Sequence, residues 1–302
     1  MLKSFSVSAG NFLRSFSVKA SSVVTLALLS GCLVHSNGGK TFFRETDSIH
    51  LYQPGDFIEY SVSGTYASTM TSFHSVSGTL RIDWSVPDPI YDPITGNQVT
   101  GLLKEVSTLN VGGNETHIVR YISQDIDGNI YLHAFDKDGT YYFWVNNSSG
   151  TPPSSLNKVQ LWQSPLAITP SNYDIKFYVF DDCDNTNLCK TYLGSQTETG
   201  KVESDNVDIQ TDPGVFNTFR VSVNGNDQPG SGVTSFLPIN FLDTRSSCSS
   251  NGAYFNGQAY VFPQVGVVAM NMHCNASSGY PSFDYTFSFK HAGGSIALPS
   301  PS

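Results

Sequence analysis

The side chains of this 302-residue chain that could do chemistry are seven histidines, five cysteines and 25 carboxylates. The spacing of most of them argues against catalysis. His35, His50, His74, His117, His133, His273 and His291 stand apart. None forms the His-Glu-x-x-His unit that sets two imidazoles on one helix face around zinc. There is no Gly-x-Ser-x-Gly, so no nucleophile elbow is encoded. Gly39-Lys40-Thr41 lacks the earlier glycine of a phosphate loop, since Val34 stands there. No catalytic residue, cofactor or metal site is therefore expected. His133 is the best candidate for an exception. Strict alternation puts it with Tyr131 and Phe135 on one strand face, opposite Ile130, Leu132 and Ala134. A buried imidazole needs a hydrogen-bond partner, and a backbone carbonyl or tyrosine hydroxyl is expected. A serine or carboxylate beside His133 in an open cleft would point instead to a hydrolase.

Two acidic clusters have oxygen ligands of the kind calcium prefers. Asp125-x-Asp127-x-Asn129 lacks a distal glutamate, and the Asp127-Gly128 hairpin turn already accounts for it. Asp181-Asp182-Cys183-Asp184-Asn185 reads as a loop tied by a disulfide, with a weak calcium site as the alternative.

The fifth cysteine has a different setting. Leu29-Ser30-Gly31-Cys32 follows the apolar run Val23 to Leu29, Lys3, Arg14 and Lys19 lie upstream, and no acidic residue precedes Glu45. Cations hold such a segment on the cytoplasmic side while the apolar run enters the translocon. That run is far shorter than the roughly 20 residues needed to span a bilayer. The pattern resembles a bacterial lipoprotein signal with its lipobox. The resemblance implies that residues 1–31 are a signal peptide and that Cys32 is acylated after cleavage, so the lipid bilayer is the first partner. Leu33 in place of an aspartate favours the outer membrane on the same resemblance.

In an exported chain, the remaining even set of Cys183, Cys189, Cys248 and Cys274 favours disulfides. Of three possible pairings, chain order suggests Cys183–Cys189 and Cys248–Cys274. The longer bridge would contribute about 3 kcal/mol by restricting the unfolded chain.

Removing residues 1–31 takes away three cations and leaves 13 against 25 anions, a net charge of −12. Such a chain repels phosphate, so no nucleic-acid partner is expected. Residues 32–48, with Asn37-Gly38-Gly39, read as a lipidated tether. Residues 49–290 read as an all-β domain, with a break near 150–155 at Gly150-Thr151-Pro152-Pro153 that could divide two lobes. The Gly-, Ser- and Pro-rich residues 291–302 read as a disordered tail.

Period-two alternation governs the body. Ile58, Tyr60 and Val62 alternate with polar residues, as do Leu80, Ile82 and Trp84, and Phe283, Tyr285, Phe287 and Phe289. Asp127-Gly128 and Asp138-Gly139 make residues 118–145 a three-stranded meander. The near-repeats Ser61-Val62-Ser63-Gly64-Thr65 and Ser75-Val76-Ser77-Gly78-Thr79 fit successive antiparallel strands. A short helix over Leu156–Trp162 is the one helical candidate.

Leu51-Tyr52-Gln53-Pro54-Gly55-Asp56-Phe57-Ile58-Glu59-Tyr60 resembles the opening strand of TapB- and DUF3108-like exported β proteins. Val202 to Val223 and Tyr260 to Ala269 are similar to their later strands. The resemblance implies a long curved antiparallel sheet and carries no activity. The expected fold is thus all-β, a large curved antiparallel sheet or half-barrel, with a β-sandwich as the alternative. The expected function is a non-enzymatic, membrane-anchored envelope lipoprotein that binds an apolar ligand or another envelope component. A structural or surface-interaction role and a hydrolase of envelope polymers are the alternatives. An inward aromatic cavity would favour binding, a filled core the structural role, and a Ser–His contact in a cleft the enzyme.

Overall fold

The computed structural model describes residues 42–43, 49–67, 73–137, 140–145, 158–162, 166, 170–180, 191–229, 254–275 and 282–299. These form sixteen strands: β1 (Phe42–Phe43), β2 (Phe57–Ala67), β3 (Phe73–Ser85), β4 (Ile90–Tyr91), β5 (Gln98–Val99), β6 (Leu103–Val111), β7 (Asn114–Gln124) and β8 (Ile130–Lys137), then β9 (Thr140–Val145), β10 (Val159–Trp162), β11 (Pro170–Phe180), β12 (Thr191–Gln210), β13 (Val215–Pro229), β14 (Tyr254–Phe262), β15 (Gly266–Asn275) and β16 (Ser282–Gly293).

The pairing is antiparallel and runs β13-β12-β11-β9-β8-β7-β6-β3-β2-β16-β15-β14. β14 then pairs β13 again, so the order returns on itself. The wall is not closed over its full height. β9 pairs β11 only from Lys176 to Phe180, β10 pairs β8, and among the described residues no ladder joins β10 to β11. The chain therefore builds the large curved antiparallel sheet that the resemblance implied, as one continuous sheet and not two stacked ones. β4 and β5 form a separate small hairpin.

The inner face is apolar because every alternating run turns the same parity inward. Ile58, Tyr60 and Val62, Leu80, Ile82 and Trp84, and Phe283, Tyr285, Phe287 and Phe289 are all buried in one cluster. The two near-repeats pair directly, Ser61 with Thr79 and Ser63 with Ser77. Their glycines serve close backbone approach. A Cβ on Gly64 would collide with the Asp284 carbonyl, and one on Gly78 with that of Asn110.

Three expectations are corrected. Val159–Trp162 is a strand against β8, not part of a helix. Its apolar residues pack better on an exposed strand edge than in an isolated turn of helix, which nucleates poorly. The tether reading of 32–48 gives way at Phe42–Phe43, which pairs in parallel with Val215–Phe216. The tail reading of 291–302 fails over 291–299. β16 extends to Gly293 and Ile296 is buried in the core. Residues 1–41 and 150–155 lie outside the described residues.

Candidate functional site

Cross-strand register places a polar row inside the apolar wall. Trp84 pairs with Glu105 across β3 and β6, and Glu105 pairs with Arg120 across β6 and β7. Glu105 and Arg120 are both buried. The Arg120 guanidinium donates from Nε to Glu105 Oε1 at 2.7 Å, and its Nη2 donates to the same oxygen. The Tyr52 ring stacks on Trp84 with centroids 4.0 Å apart and planes within 6°. The Tyr52 hydroxyl donates to the Val265 carbonyl at 3.0 Å. Burial, with the charges of Glu105 and Asp56, pushes that phenol far above its usual range, so it stays a donor. A cavity of about 60 Å³ lies among Tyr52, Trp84, Glu105, Arg120 and Leu161.

Residues 49–56 cap this end of the sheet. The His50 amide donates to Pro263 O, the Tyr52 amide to Gln124 Oε1, and the Gly55 amide to Trp84 O. Asp56 anchors the cap. Its buried carboxylate accepts from the amides of Gln53 and Ser295, from the Ser295 hydroxyl at 2.8 Å, and lies 3.1 Å from His50 Nε2. Gly294, at φ 79°, makes the turn that brings Ser295 in, and a Cβ there would collide with Asp56. Serine, histidine and aspartate meet here, but not as a nucleophile relay. Ser295 Oγ donates to the carboxylate, which consumes the proton a general base would take. This is a clasp between the two ends of the domain.

Burial raises the Asp56 pKa, but the four hydrogen bonds outweigh it and hold the carboxyl below its ordinary value. A depressed folded pKa contributes stability that is present above the unfolded value, about 3.9. It is lost as pH falls through the folded value. Acid titration of unfolding should show this loss below about pH 4, and Asp56→Asn should flatten it. The same variant should be less stable at pH 7 by about 2–3 kcal/mol, because its amide turns a donor toward other donors. An Asp56→Asn curve parallel to wild type would sink the clasp reading.

A second site lies on the outer face. The β4–β5 hairpin folds over β7, β8 and β9, and Ile90, Leu102, Tyr121, Ala134 and Phe143 form their own buried cluster. Between hairpin and sheet runs a groove of about 540 Å³. Val99, Leu102, Ala134 and Phe143 supply its apolar lining, with His133 and Lys158 among its polar residues. His133 is a β-bulge. Ile122 pairs with Leu132 and Tyr121 with Ala134, leaving His133 without an opposite residue. It also falls between the two strands on the other edge of β8, since Leu132 pairs with Val159 and Ala134 with Phe143.

The bulge corrects two expectations. It shifts the phase of β8, so Ala134 joins the outer cluster while Phe135 turns into the main core. And the partner of His133 is neither a carbonyl nor a tyrosine. Its Nε2 lies 2.8 Å from Ser123 Oγ. Burial, then the nearby Lys158, pushes the His133 pKa down to about 4. The ring is neutral at pH 7, and it is a weaker base than a free imidazole at about 6.5. That suits a fixed hydrogen bond better than proton abstraction from serine.

The Asp125 carboxylate accepts from the amides of Asp127 and Asn129, from Asn129 Nδ2 and from the Tyr131 hydroxyl. Its oxygens thus serve the hairpin turn. The acidic loop 181–185, Cys32, Cys183, Cys189 and Cys248 lie outside the described residues, and only the backbone of Cys274 is described, in β15. Glu105, Arg120, Asp56 and Lys158 were not singled out from sequence. Charged residues at the inward parity of β6 and β7, among Leu109, Ile118 and Ile122, were the available signal for the first two.

No protein-family model matches the chain. No curated protein matches it. A solved structure described as that of a "putative lipoprotein" from Parabacteroides distasonis is similar over 84% of this chain and 99% of its own length, at 10% identity and a TM-score of 0.32. A likeness that distant decides neither fold nor function here.

Proposed function

We propose that this chain is a lipid-anchored protein of the bacterial envelope, held in the outer membrane by an acylated Cys32. It binds an apolar ligand, or an apolar segment of another envelope component, without catalysis. The anchor rests on the lipobox. The binding role rests on the outer groove, whose size and lining match a ligand site with an apolar body and a few polar groups. The inner core favours no large internal ligand, since its described aromatic residues are packed together. Phe216, Phe262, Phe287 and Phe289 have no exposed surface.

Native mass spectrometry of the detergent-extracted protein should show a bound apolar molecule. Val99→Asp, which puts a charge into the groove, should remove at least nine-tenths of it with the far-ultraviolet spectrum unchanged. A wild-type protein that carries nothing, or a variant that keeps its ligand, would overturn the reading. The Ser123–His133 contact at the groove is the observation behind a second reading, the hydrolase. That reading requires ester or amide turnover lost in both Ser123→Ala and His133→Ala.

Two disulfides, Cys183–Cys189 and Cys248–Cys274, belong to the same export reading. Non-reducing peptide mapping should find both pairs and no free thiol. Four free thiols or crossed pairs would count against it.

A further inference from the structure

We infer that the cavity beneath the Tyr52 cap is an internal water site, in which ordered waters link the Trp84 indole to the Glu105–Arg120 pair. Three observations carry this. Trp84 is 4% exposed, and its Nε1–H has no protein partner although it lines the cavity. A buried N–H without an acceptor is costly, and native proteins almost always satisfy it. Glu105 and Arg120 line the same cavity, among side chains that are otherwise mostly apolar. Glu105 is the direct cross-strand neighbour of Trp84, and Arg120 of Glu105. The space itself fits. About 60 Å³ exceeds what one water requires and suits a small cluster of roughly two to four, while it is far too small for an organic ligand.

The site has a consequence for the whole row. A buried ion pair carries a large desolvation penalty, which rises when its remaining donors and lone pairs face apolar groups. Waters held between Trp84, Glu105 and Arg120 relieve that penalty. They also explain why a tryptophan, and not a phenylalanine, stands under the Tyr52 ring. Phenylalanine would stack equally well but would offer the water no donor. The cap then serves to hold water in as much as to exclude it. Tyr52 covers the cluster and spends its own hydroxyl on Val265, outside the row.

The test uses the mature, lipidated protein in detergent micelles, labelled with nitrogen-15. The Trp84 indole proton should show a nuclear Overhauser cross-peak to water, with the sign of a slowly exchanging bound molecule. Its chemical shift should be that of a hydrogen-bonded indole. Trp84→Phe should remove that one resonance. If this variant does not fold, Trp144→Phe and Trp162→Phe assign it by elimination. Xenon under pressure should not enter the cavity, because it cannot replace a hydrogen-bonded cluster. An indole proton without a water cross-peak, at the upfield position of an unbonded N–H, would overturn the inference, and so would xenon bound among Tyr52, Trp84 and Leu161.

Discussion

Replacing Arg120 with methionine should lower the stability of the domain by about 3–5 kcal/mol, the usual result of stranding one member of a buried ion pair. The side chain that suffers is Glu105, 4% exposed, whose Oε1 takes both guanidinium contacts. Methionine fills much of the volume, so the loss is electrostatic rather than a packing defect. The double variant Glu105→Leu with Arg120→Met separates the two causes. It removes both charges and should recover most of the loss, since an apolar replacement of a buried pair is often neutral or better. Urea unfolding monitored by tryptophan fluorescence measures all three proteins. An Arg120→Met protein within about 1 kcal/mol of wild type would mean that the pair behaves as a surface bridge and that the inner row is not closed off from solvent.

The strands themselves were legible in the sequence. Ile58, Tyr60 and Val62, or Phe283 through Phe289, announce a buried face because period two is a local property, and the core follows from it. Other features depend on register, which is not local. Trp84, Glu105 and Arg120 are far apart in sequence and become a row only when β3, β6 and β7 align. Ser295 meets Asp56 across a sequence separation of 239 residues. Composition marked its neighbourhood as a tail because glycine, serine and proline are enriched there, and one carboxylate outweighs that composition. The His133 bulge was hidden for another reason. Alternation assumes that each residue has one opposite partner, and an inserted residue breaks that assumption without any mark in the residue types. It reversed the faces of Ala134 and Phe135 and placed His133 at the groove. The groove itself depends on β4–β5, two strands of two residues each, which are too short to show a period.

Cys32→Ser should abolish lipid attachment and leave a soluble or an uncleaved form. On the lipobox reading, several acyl chains at about 0.8 kcal/mol per buried methylene would make wild-type anchoring irreversible in practice. A serine offers no thiol for the first acyl transfer, so the variant should appear in the soluble fraction or remain as an uncleaved precursor. Intact mass spectrometry should show the loss of all acyl mass. The domain should otherwise be untouched, with unfolding free energy within about 0.5 kcal/mol of wild type. That expectation follows from where the chain joins the sheet. The first described pairing is Phe42–Phe43 on β13, and the cap begins at Ile49, both well downstream of Cys32. The cap bonds of His50, Tyr52 and Asp56 are made within the domain and need no lipid. A Cys32→Ser protein that stays acylated and membrane-bound would sink the lipobox reading. One that is released but unfolds more readily would show instead that the anchor segment is part of the fold.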